Sequence, residues 1–522
     1  MCQAKFIGYI IKNMEQEVGN KRIAKNTIFL YVRMLLTMIV TLYTSRVILQ
    51  VIGVTDYGVY QSVAGIVGFL AFLNNALSTG TSRFLTYALG EQNESKLAKT
   101  FSTTLAVHIL ISLVIVVIAE TAGLWLVYNK LSIPPERFFA AVVAFHLSIV
   151  SAVFTLITVP YNAVIIAREK MEFFAYISIV EVVVKLLVVF ALNIGNIDKL
   201  ILYSVLLLLV QVALFLGYYI YTRKYFHEVK SGLYIDKTIF KEVVGFSSWS
   251  LFAGGATALN NQGIIILLNI FFSSPIVVAR TISLQVNSAA TQFVNNFRTA
   301  VNPQIVKRLA SGDRQGSQNL LLDSTRYSYF LMLVICLPLL LASEQVLRIW
   351  LGVVPDYSVI FLRLVLIQSL FQVFDTSFYT ALYAEGKMKE NALISPSLGF
   401  LMFPLVYLLL KMGCGPESVS WVFLFYYAFL GLVVKPLLII RIAKYTWVSI
   451  LSVLLDCLKV TLVSIPVPVI LLCFSEDSLF NTIGIILGSV ISVLISVLFI
   501  GIDKDLRIKI SHLIYSKIKS FL

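Results

Sequence analysis

The stretch FSTTLAVHILISLVIVVIAETAGLWLVY, residues 101–128, contains one acidic side chain, Glu120, and no Lys or Arg. A helix needs about 20 consecutive apolar residues to cross the roughly 30 Å hydrocarbon core of a bilayer, and this stretch exceeds that length. It lacks the strict apolar–polar alternation that is typical of outer-membrane strands. The stretch therefore predicts a transmembrane helix.

Similar stretches recur along the whole chain. Hydrophobic residues make up 59% of the sequence and charged residues only 13%, against about 25% charged in soluble domains. We therefore expect an all-α, polytopic membrane protein with about fourteen spans, at residues 26–50, 57–78, 101–128, 138–166, 173–194, 198–221, 243–272, 276–300, 328–350, 357–384, 391–411, 418–442, 447–474 and 479–502.

The basic residues predict the orientation of these spans. Cytosolic loops retain Lys and Arg, and most of the 41 basic residues fall in alternate loops, beginning with the N-terminal segment. We therefore expect both termini in the cytosol, and the net charge of +14 needs no nucleic-acid partner. The loops assigned to the outside hold only Lys130, Arg137, Lys199, Arg280, Arg348 and Lys411.

The sequence indicates neither a metal site nor a cofactor. The four His residues never cluster, and the first 25 residues lack the apolar core of a cleavable signal, so the first span itself is expected to direct insertion. The cysteines are odd in number and widely spaced, which is not typical of a disulfide framework or a zinc site: Cys2, Cys336, Cys414, Cys457 and Cys473.

An internal repeat predicts the domain organisation. The segment FLNNALSTGTSRFLTYALGEQ from Phe72 is echoed six spans later by FVNNFRTAVNPQIVKRLASGDRQ from Phe293, which preserves orientation and indicates two parallel halves. We expect substrate to bind between such halves near mid-membrane. The predicted parts are a basic N-terminus (1–25), an N-lobe (26–221), a cytosolic linker (222–242), a C-lobe (243–442), two further helices (447–502) and a basic tail (503–522).

The eighth span carries a polar stripe. Its polar residues recur at steps of three and four, which places them on one helix face: Gln285, Ser288, Gln292, Asn295 and Thr299. Two interpretations remain open, interhelical hydrogen bonding within a bundle or the lining of a water-filled lumen. The second span offers a sparser counterpart that includes Gln61 and Asn75.

Charged residues inside the spans are costly in lipid and are therefore candidate functional residues. The cationic candidates are Arg33, Arg46, Arg83 and Arg298. Glu181 and Lys185, four residues apart, can neutralise each other, and we group Arg363 with Asp375, and Asp456 with Lys459, as similar mixed pairs. Asp375 and Glu181 are the candidates for coupling to a proton or sodium ion. Arg suits phosphate because its fork binds two oxygens, so these residues point to an anionic, hydroxyl-rich substrate.

Two segments resemble a known family. The run TSRVILQVIGVTDYGVYQSVAGIVGFLAFLNNALSTGTSRFLTYALGEQ, Thr44 to Gln92, and the run FSSWSLFAGGATALNNQGIIILLN, Phe246 to Asn269, are similar to the polysaccharide transporter, or Wzx-type oligosaccharide flippase, branch of the MOP superfamily. Within VTDYG, we expect Asp56 to cap the second span and Gly58 to ease the turn.

The resemblance implies two six-helix bundles plus two C-terminal helices in the bacterial inner membrane. It implies transport of undecaprenyl-pyrophosphate-linked oligosaccharide repeat units for surface polysaccharide such as O-antigen, lipopolysaccharide or capsule. Relatives line a cationic cavity with Arg from the first, second and eighth helices, which Arg33 or Arg46, Arg83 and Arg298 match by helix. Relatives also imply a groove for the polyprenyl tail at the last two spans. Glycosyltransferases or a polymerase of the same pathway are candidate partners besides membrane lipids.

Three other functions remain as alternatives. A lipid II or other polyprenyl-lipid precursor flippase differs only in cargo, and a MATE-like drug or metabolite antiporter predicts fewer lumen arginines. A polyprenyl glycosyltransferase or polymerase needs a sizeable external catalytic loop. The longest outside stretch, about Asn129 to Arg137, is too short for that, so we do not expect an enzyme.

Overall fold

We describe the protein from a computed structural model. The structure describes residues 35–70, 72–91, 93–168, 170–192, 197–230, 232, 234–386, 389–474, 478–502 and 507. Every regular element within these residues is helical. The predicted all-helical fold class is thereby confirmed.

Sixteen helices follow one another within the described residues, and several contain a short π-helical segment. They are α1 Leu35–Val51, α2 Val54–Leu70, α3 Phe72–Gly90, α4 Glu94–Asn129, α5 Phe138–Ala167, α6 Met171–Ala191, α7 Lys199–Tyr225, α8 Lys237–Ala258 with its continuation Ile264–Phe271, α9 Ser274–Ala310, α10 Arg314–Leu341, α11 Ser343–Leu351, α12 Ser358–Ala384, α13 Lys389–Lys411, α14 Ser418–Ala443, α15 Trp447–Cys473 and α16 Leu479–Gly501.

The helices are long and apolar enough for a multi-pass membrane protein. Ten of them satisfy length and composition for a span within the described residues, or eleven when α1 and α2 are counted as one bent pair. Of the fourteen predicted spans, these ten helices occupy ten, and α1 and α2 occupy the first two. Helices α6 and α9 occupy the remaining two, the fifth and the eighth. Large apolar side chains such as Leu113, Val117, Leu451 and Leu487 are more than half exposed, as expected of surfaces that face lipid.

The described helices fall into two compact units. The first unit draws on the described residues within 1–51, 76–117 and 146–247, and the second on those within 52–75, 118–145 and 248–522. In the first unit α6 packs on α7, and Phe173 stacks on Tyr221 with ring centroids 3.7 Å apart.

In the second unit, α9 packs against α2, α10 and α12, and this helix set forms the core around the candidate site. The last two helices are part of the same unit. Both α15 and α16 pack on α10, and the Tyr329 hydroxyl lies 2.9 Å from Thr461 Oγ1. Ser492 also donates a hydrogen bond to the carbonyl of Ser464, which ties α16 to α15.

Two expectations at the start of α2 are wrong. The helix begins at Val54 after Gly53, whose φ is +88°, so Asp56 lies in the first turn and does not cap the helix. Asp56 instead forms a two-fold ion pair with Arg137, a residue that the sequence assigned only to an outer loop. Gly58 is needed for close packing, because a Cβ there would lie 2.3 Å from the Ser274 carbonyl oxygen.

Candidate functional site

A polar cavity of about 500 Å³ opens within the second unit. Five helices line it, namely α8, α9, α12, α13 and α14, and we call it the polar cavity. Its polar lining residues are Thr257, Asn260, Asn261, Asn295, Arg298, Asp375, Thr376, Tyr379, Asn391, Ser395, Tyr426, Tyr427 and Lys435.

Irregular helical turns bring polar groups to this cavity. A π-helical segment, Leu259–Gly263, carries Asn260 and Asn261, and a second, Leu430–Val434, directly precedes Lys435. Such π segments interrupt the regular i to i−4 ladder and are frequent at functional sites. On α13, Pro396 has no N–H, so the carbonyl of Ala392, another residue that lines the cavity, loses its helical donor.

Gly431 allows α14 to approach α12 beside the cavity. A Cβ at this position would lie 2.7 Å from the Phe371 carbonyl oxygen and 3.5 Å from the amide nitrogen of Asp375. Only glycine fits such an approach without displacing one helix backbone. The close contact therefore places Lys435, one helical turn further along α14, next to Asp375.

Lys435 and Asp375 form an ion pair in the cavity wall. Lys435 Nζ lies 3.0 Å from Asp375 Oδ1, and the two side chains are 3% and 17% exposed. Nζ also donates a hydrogen bond to Asn391 Oδ1, and it lies 5.5 Å from the centroid of the Tyr379 ring. Asp375 Oδ1 has no aligned hydrogen-bond donor within the described residues, so the ion pair is held by charge rather than by hydrogen-bond geometry.

Arg298 enters the same cavity from α9. Its Nη2 donates to the Thr376 carbonyl and, over 3.0 Å, to Thr380 Oγ1, and the residue is 7% exposed. Among the described residues these are the hydrogen bonds that it makes, so Nε and Nη1 remain for a ligand. Among the described residues, two cations and one carboxylate, that of Asp375, thus line the cavity.

The polar stripe of α9 is exposed rather than packed between helices. Ser288, Gln292, Asn295 and Thr299 are all exposed, and Asn295 lines the polar cavity. Gln285 is half-buried, with Nε2 3.5 Å from the Tyr57 hydroxyl. The assignment of this face to a water-filled lumen rather than to interhelical hydrogen bonding stays a prediction.

The other predicted site residues lie elsewhere. Arg33 is outside the described residues, and the side chain of Asn75 on α3 is outside them as well. In the first unit, Arg46 on α1 is half-buried and Arg83 on α3 is exposed. Glu181 pairs with Lys185 at 2.6 Å on one face of α6, as the spacing predicts.

The proposed pairing of Arg363 with Asp375 is wrong. The two residues lie more than three turns apart on α12, and Arg363 Nε donates to Ser343 Oγ instead. Asp375 pairs with Lys435, a cation inside the apolar run LVVKPLLII that the sequence analysis did not single out. A lone Lys about two helical turns inside the predicted span 418–442 was the available signal.

Arg280 is likewise misplaced by the loop assignment. It lies inside α9 at 2% exposure, donates to Ser420 Oγ over 3.0 Å, and sits 5.7 Å from the centroid of the Phe423 ring. The apolar residues around it, including Val277 and Ile282, are fully buried. Arg280 is therefore a core residue of the second unit.

The sequence matches a family model for part of its length. The family described as MatE matches residues 30–191. No curated protein matches the chain.

Solved structures match over most of the chain. The lipid II flippase MurJ, in an inward closed conformation, is 15% identical with a TM-score of 0.66, over 90% of this chain and 97% of that one. An inward-facing multidrug resistance MATE family transporter of the MOP superfamily is 13% identical with a TM-score of 0.64, over 79% of this chain and 98% of that one.

A MOP superfamily transporter from Pyrococcus furiosus gives a similar result. It is 15% identical with a TM-score of 0.56, over 81% of this chain and 97% of that one. At these identities the matches establish architecture rather than cargo. The chain has the helical fold of the MOP superfamily transporters.

Proposed function

We propose that the protein is a flippase that moves an undecaprenyl-pyrophosphate-linked oligosaccharide across the inner membrane by alternating access, for the synthesis of surface polysaccharide. The polar cavity binds the pyrophosphate and adjoining sugars, while the polyprenyl tail remains in lipid. Both termini face the cytosol, where glycosyltransferases or a polymerase of the same pathway are candidate partners.

The charge of the polar cavity carries this proposal. Arg298 and Lys435 supply two positive charges against the single carboxylate of Asp375, so the described lining has a net charge of +1. An anionic headgroup that leaves water must find such compensation, since an isolated ion costs many kcal/mol to bury. The guanidinium of Arg298 suits a diphosphate because it is a permanent cation whose Nε and Nη1 can each still donate to a phosphate oxygen.

The neutral lining residues suit a sugar. Amides from Asn260, Asn261 and Asn295 and the hydroxyls of Thr257 and Tyr379 provide donors and acceptors around the same space. Each hydroxyl of a sugar needs a partner in a membrane interior, or its transfer from water costs several kcal/mol. A lining of this kind lowers that cost without selecting a particular sugar.

The test is a flipping assay in liposomes. The purified protein is reconstituted with a fluorescent undecaprenyl-pyrophosphate oligosaccharide, and the quencher-accessible headgroup is measured over time. We expect faster equilibration than in empty liposomes, and a loss of at least tenfold in Arg298→Ala. Arg348→Ala is the matched control, because Arg348 lies in the same unit but is 62% exposed and pairs only locally with Glu344.

A normal rate in Arg298→Ala, with protein amount and melting temperature unchanged, would remove the polar cavity from the mechanism. Absence of flipping across several pyrophosphate-linked headgroups would remove the function itself.

Two related functions remain in competition with this one. The match to a lipid II flippase over 90% of the chain favours a second cargo, so lipid II is a separate arm of the assay. The carboxylate of Asp375 in the cavity favours a MATE-like antiporter of organic cations. Uptake of a cationic dye into vesicles, lost in Asp375→Asn, would support the antiporter function instead.

A further inference from the structure

We infer that the polar cavity contains a monovalent-cation site whose permanent occupant is the ammonium group of Lys435. The site is formed by Asp375 from α12, Asn391 from α13 and the ring of Tyr379. Lys435 thus acts as a tethered cation in place of a free one.

The three groups around Lys435 Nζ are those that bind small cations. Asp375 Oδ1 lies 3.0 Å away, Asn391 Oδ1 accepts a hydrogen bond, and the Tyr379 ring centroid lies 5.5 Å away. Carboxylate and amide oxygens are ligands of alkali and alkaline-earth cations, and an aromatic face attracts any cation through its quadrupole. Ser395 Oγ also donates to Asn391 Oδ1, which fixes the amide orientation.

The charge of the site selects a monovalent ion. Asp375 is the one carboxylate that lines the polar cavity among the described residues, and no cluster of three metal-ligating His, Cys, Asp or Glu side chains occurs in that part of the chain. A divalent ion would therefore leave a net positive charge in the wall. One ammonium balances one carboxylate.

The charged and titratable groups facing Asp375 come from several helices. Arg298 approaches from α9, and Tyr426 and Tyr427 accompany Lys435 on α14. From α10, Tyr329 stacks on Phe374, the residue before Asp375, with centroids 5.3 Å apart. The described lining from α8 and α13 is neutral, and its amides belong to Asn260, Asn261 and Asn391. Lys435 is the cation in ion-pair contact with Asp375.

Replacement of Lys435 by Ala removes the bound ammonium group but leaves the groups that bind it in place. Asp375 would remain mostly buried without its counter-ion, and an unpaired buried charge is strongly unfavourable. The cavity admits water and small ions to the position that Nζ occupied. A free monovalent cation can then supply the missing charge.

The consequence for transport rests on the proposed function. With Lys435 present, the empty carrier holds Asp375 neutralised at all times, so flipping does not depend on Na⁺ or K⁺. With Lys435→Ala, flipping becomes dependent on an added monovalent cation.

The primary test measures binding without transport. The melting temperature of purified Lys435→Ala is compared in NaCl, KCl and propylammonium chloride against choline chloride at equal ionic strength. We expect an upward shift of a few degrees with at least one small cation, because a ligand that binds only the folded state stabilises it. We expect no cation-specific shift in the wild type, and none in the double variant Asp375→Asn, Lys435→Ala.

Two results would overturn the inference. One is an unchanged melting temperature of Lys435→Ala in all three salts at pH 8. The other is a cation-specific shift in the wild type that disappears in Asp375→Asn, which would mean that Lys435 does not fill the site.

The second result needs only the wild type and an isosteric variant, so it holds even if Lys435→Ala does not fold. The flipping assay then separates the two proposals. Cation rescue of the melting temperature without any flipping would leave the site intact and reject the function. Flipping by the wild type with no cation binding in Lys435→Ala would reject the cation site and support the function.

Discussion

Arg137 donates two parallel hydrogen bonds to Asp56, from Nε to Oδ1 and from Nη2 to Oδ2, each over 2.6 Å. The pair joins the start of α2 to the short turn before α5, and its side chains are 24% and 17% exposed. A bidentate pair with this little solvent contact is stronger than an exposed one. We expect it to stabilise the second unit.

Asp56→Asn should therefore lower the free energy of unfolding by about 1 to 2 kcal/mol, less than the roughly 3 to 5 kcal/mol for breaking a fully buried pair. Thermal unfolding in detergent measures this. The control is Glu344→Gln, which breaks a pair of equal length, 2.6 Å to Arg348, at side-chain exposures of 62% and 47%. That change should cost less than about 0.5 kcal/mol. Equal losses of stability in the two variants would contradict the stabilising role of the Asp56–Arg137 pair.

Gly58 and Gly65 lie on the same helix, α2, and should respond differently to Ala. A Cβ at Gly58 would lie 2.3 Å from the Ser274 carbonyl oxygen, whereas a Cβ at Gly65 would meet Ile265 Cγ2 at an ordinary 3.5 Å. Gly58→Ala should destabilise the protein by about 1 to 3 kcal/mol, because it overpacks α2 against the start of α9.

Gly65→Ala should be neutral or stabilising, because Ala favours a helix by up to about 1 kcal/mol over Gly. Melting temperatures of the two variants provide the comparison. A Gly58→Ala protein as stable as Gly65→Ala would mean that α2 and α9 do not pack as closely as described.

Hydropathy predicts the helices of this chain well and their contacts poorly. A span is a local property, because about 20 apolar residues suffice to define it, so the ranges of α5, α12 and α15 lie within a few residues of the predicted ones. Helix packing, in contrast, decides which charged side chains form ion pairs. Asp375 meets Lys435 across two helices, and no local spacing rule pairs residues that far apart in sequence.

The polar cavity was predicted in part for the same reason. Periodicity placed Asn295 on the polar face of the eighth span, and the cost of intramembrane charge singled out Arg298 and Asp375. Lys435 escaped because it is a single polar residue in an apolar run, and Asn391 because it directly follows the charged loop residues Lys389 and Glu390 at the very start of its span. The π segments that bring Asn260 and Lys435 to the cavity shift the helical register, and a pattern that assumes a constant 3.6-residue period does not predict them.

The cysteines provide a test of orientation. Cys473 is exposed at the end of α15, which the loop charges assign to the outside, whereas Cys336 and Cys457 are buried. A membrane-impermeant maleimide should therefore label intact cells, and Cys473→Ser combined with Cys414→Ser, which removes a partly exposed cysteine from another outside loop, should abolish most of that labelling. Cys2, assigned to the cytosol, should react only after the membrane is permeabilised. Labelling of Cys2 in intact cells would mean that the orientation is inverted.

Glu228 anchors the segment between α7 and α8 to the first unit. Its Oε1 and Oε2 accept hydrogen bonds of 2.8 and 2.9 Å from Arg168, and its side chain is 3% exposed. Ser102 Oγ donates to the Gly232 carbonyl from α4, which holds the same segment at a second point. The segment also contains an exposed trypsin site, Lys230.

Glu228→Gln should loosen this segment, because the neutral amide replaces one charge-assisted acceptor with a donor that faces the Arg168 guanidinium. A loss of about 1 to 2 kcal/mol in local stability makes the opened segment roughly tenfold more populated. Trypsin should then cleave at Lys230 about tenfold faster under conditions where opening is rapid and cleavage is slow. Glu242→Gln, an exposed change on α8, is the control and should leave the rate unchanged. Equal cleavage rates in the two variants would show that the Arg168 pair does not hold the segment.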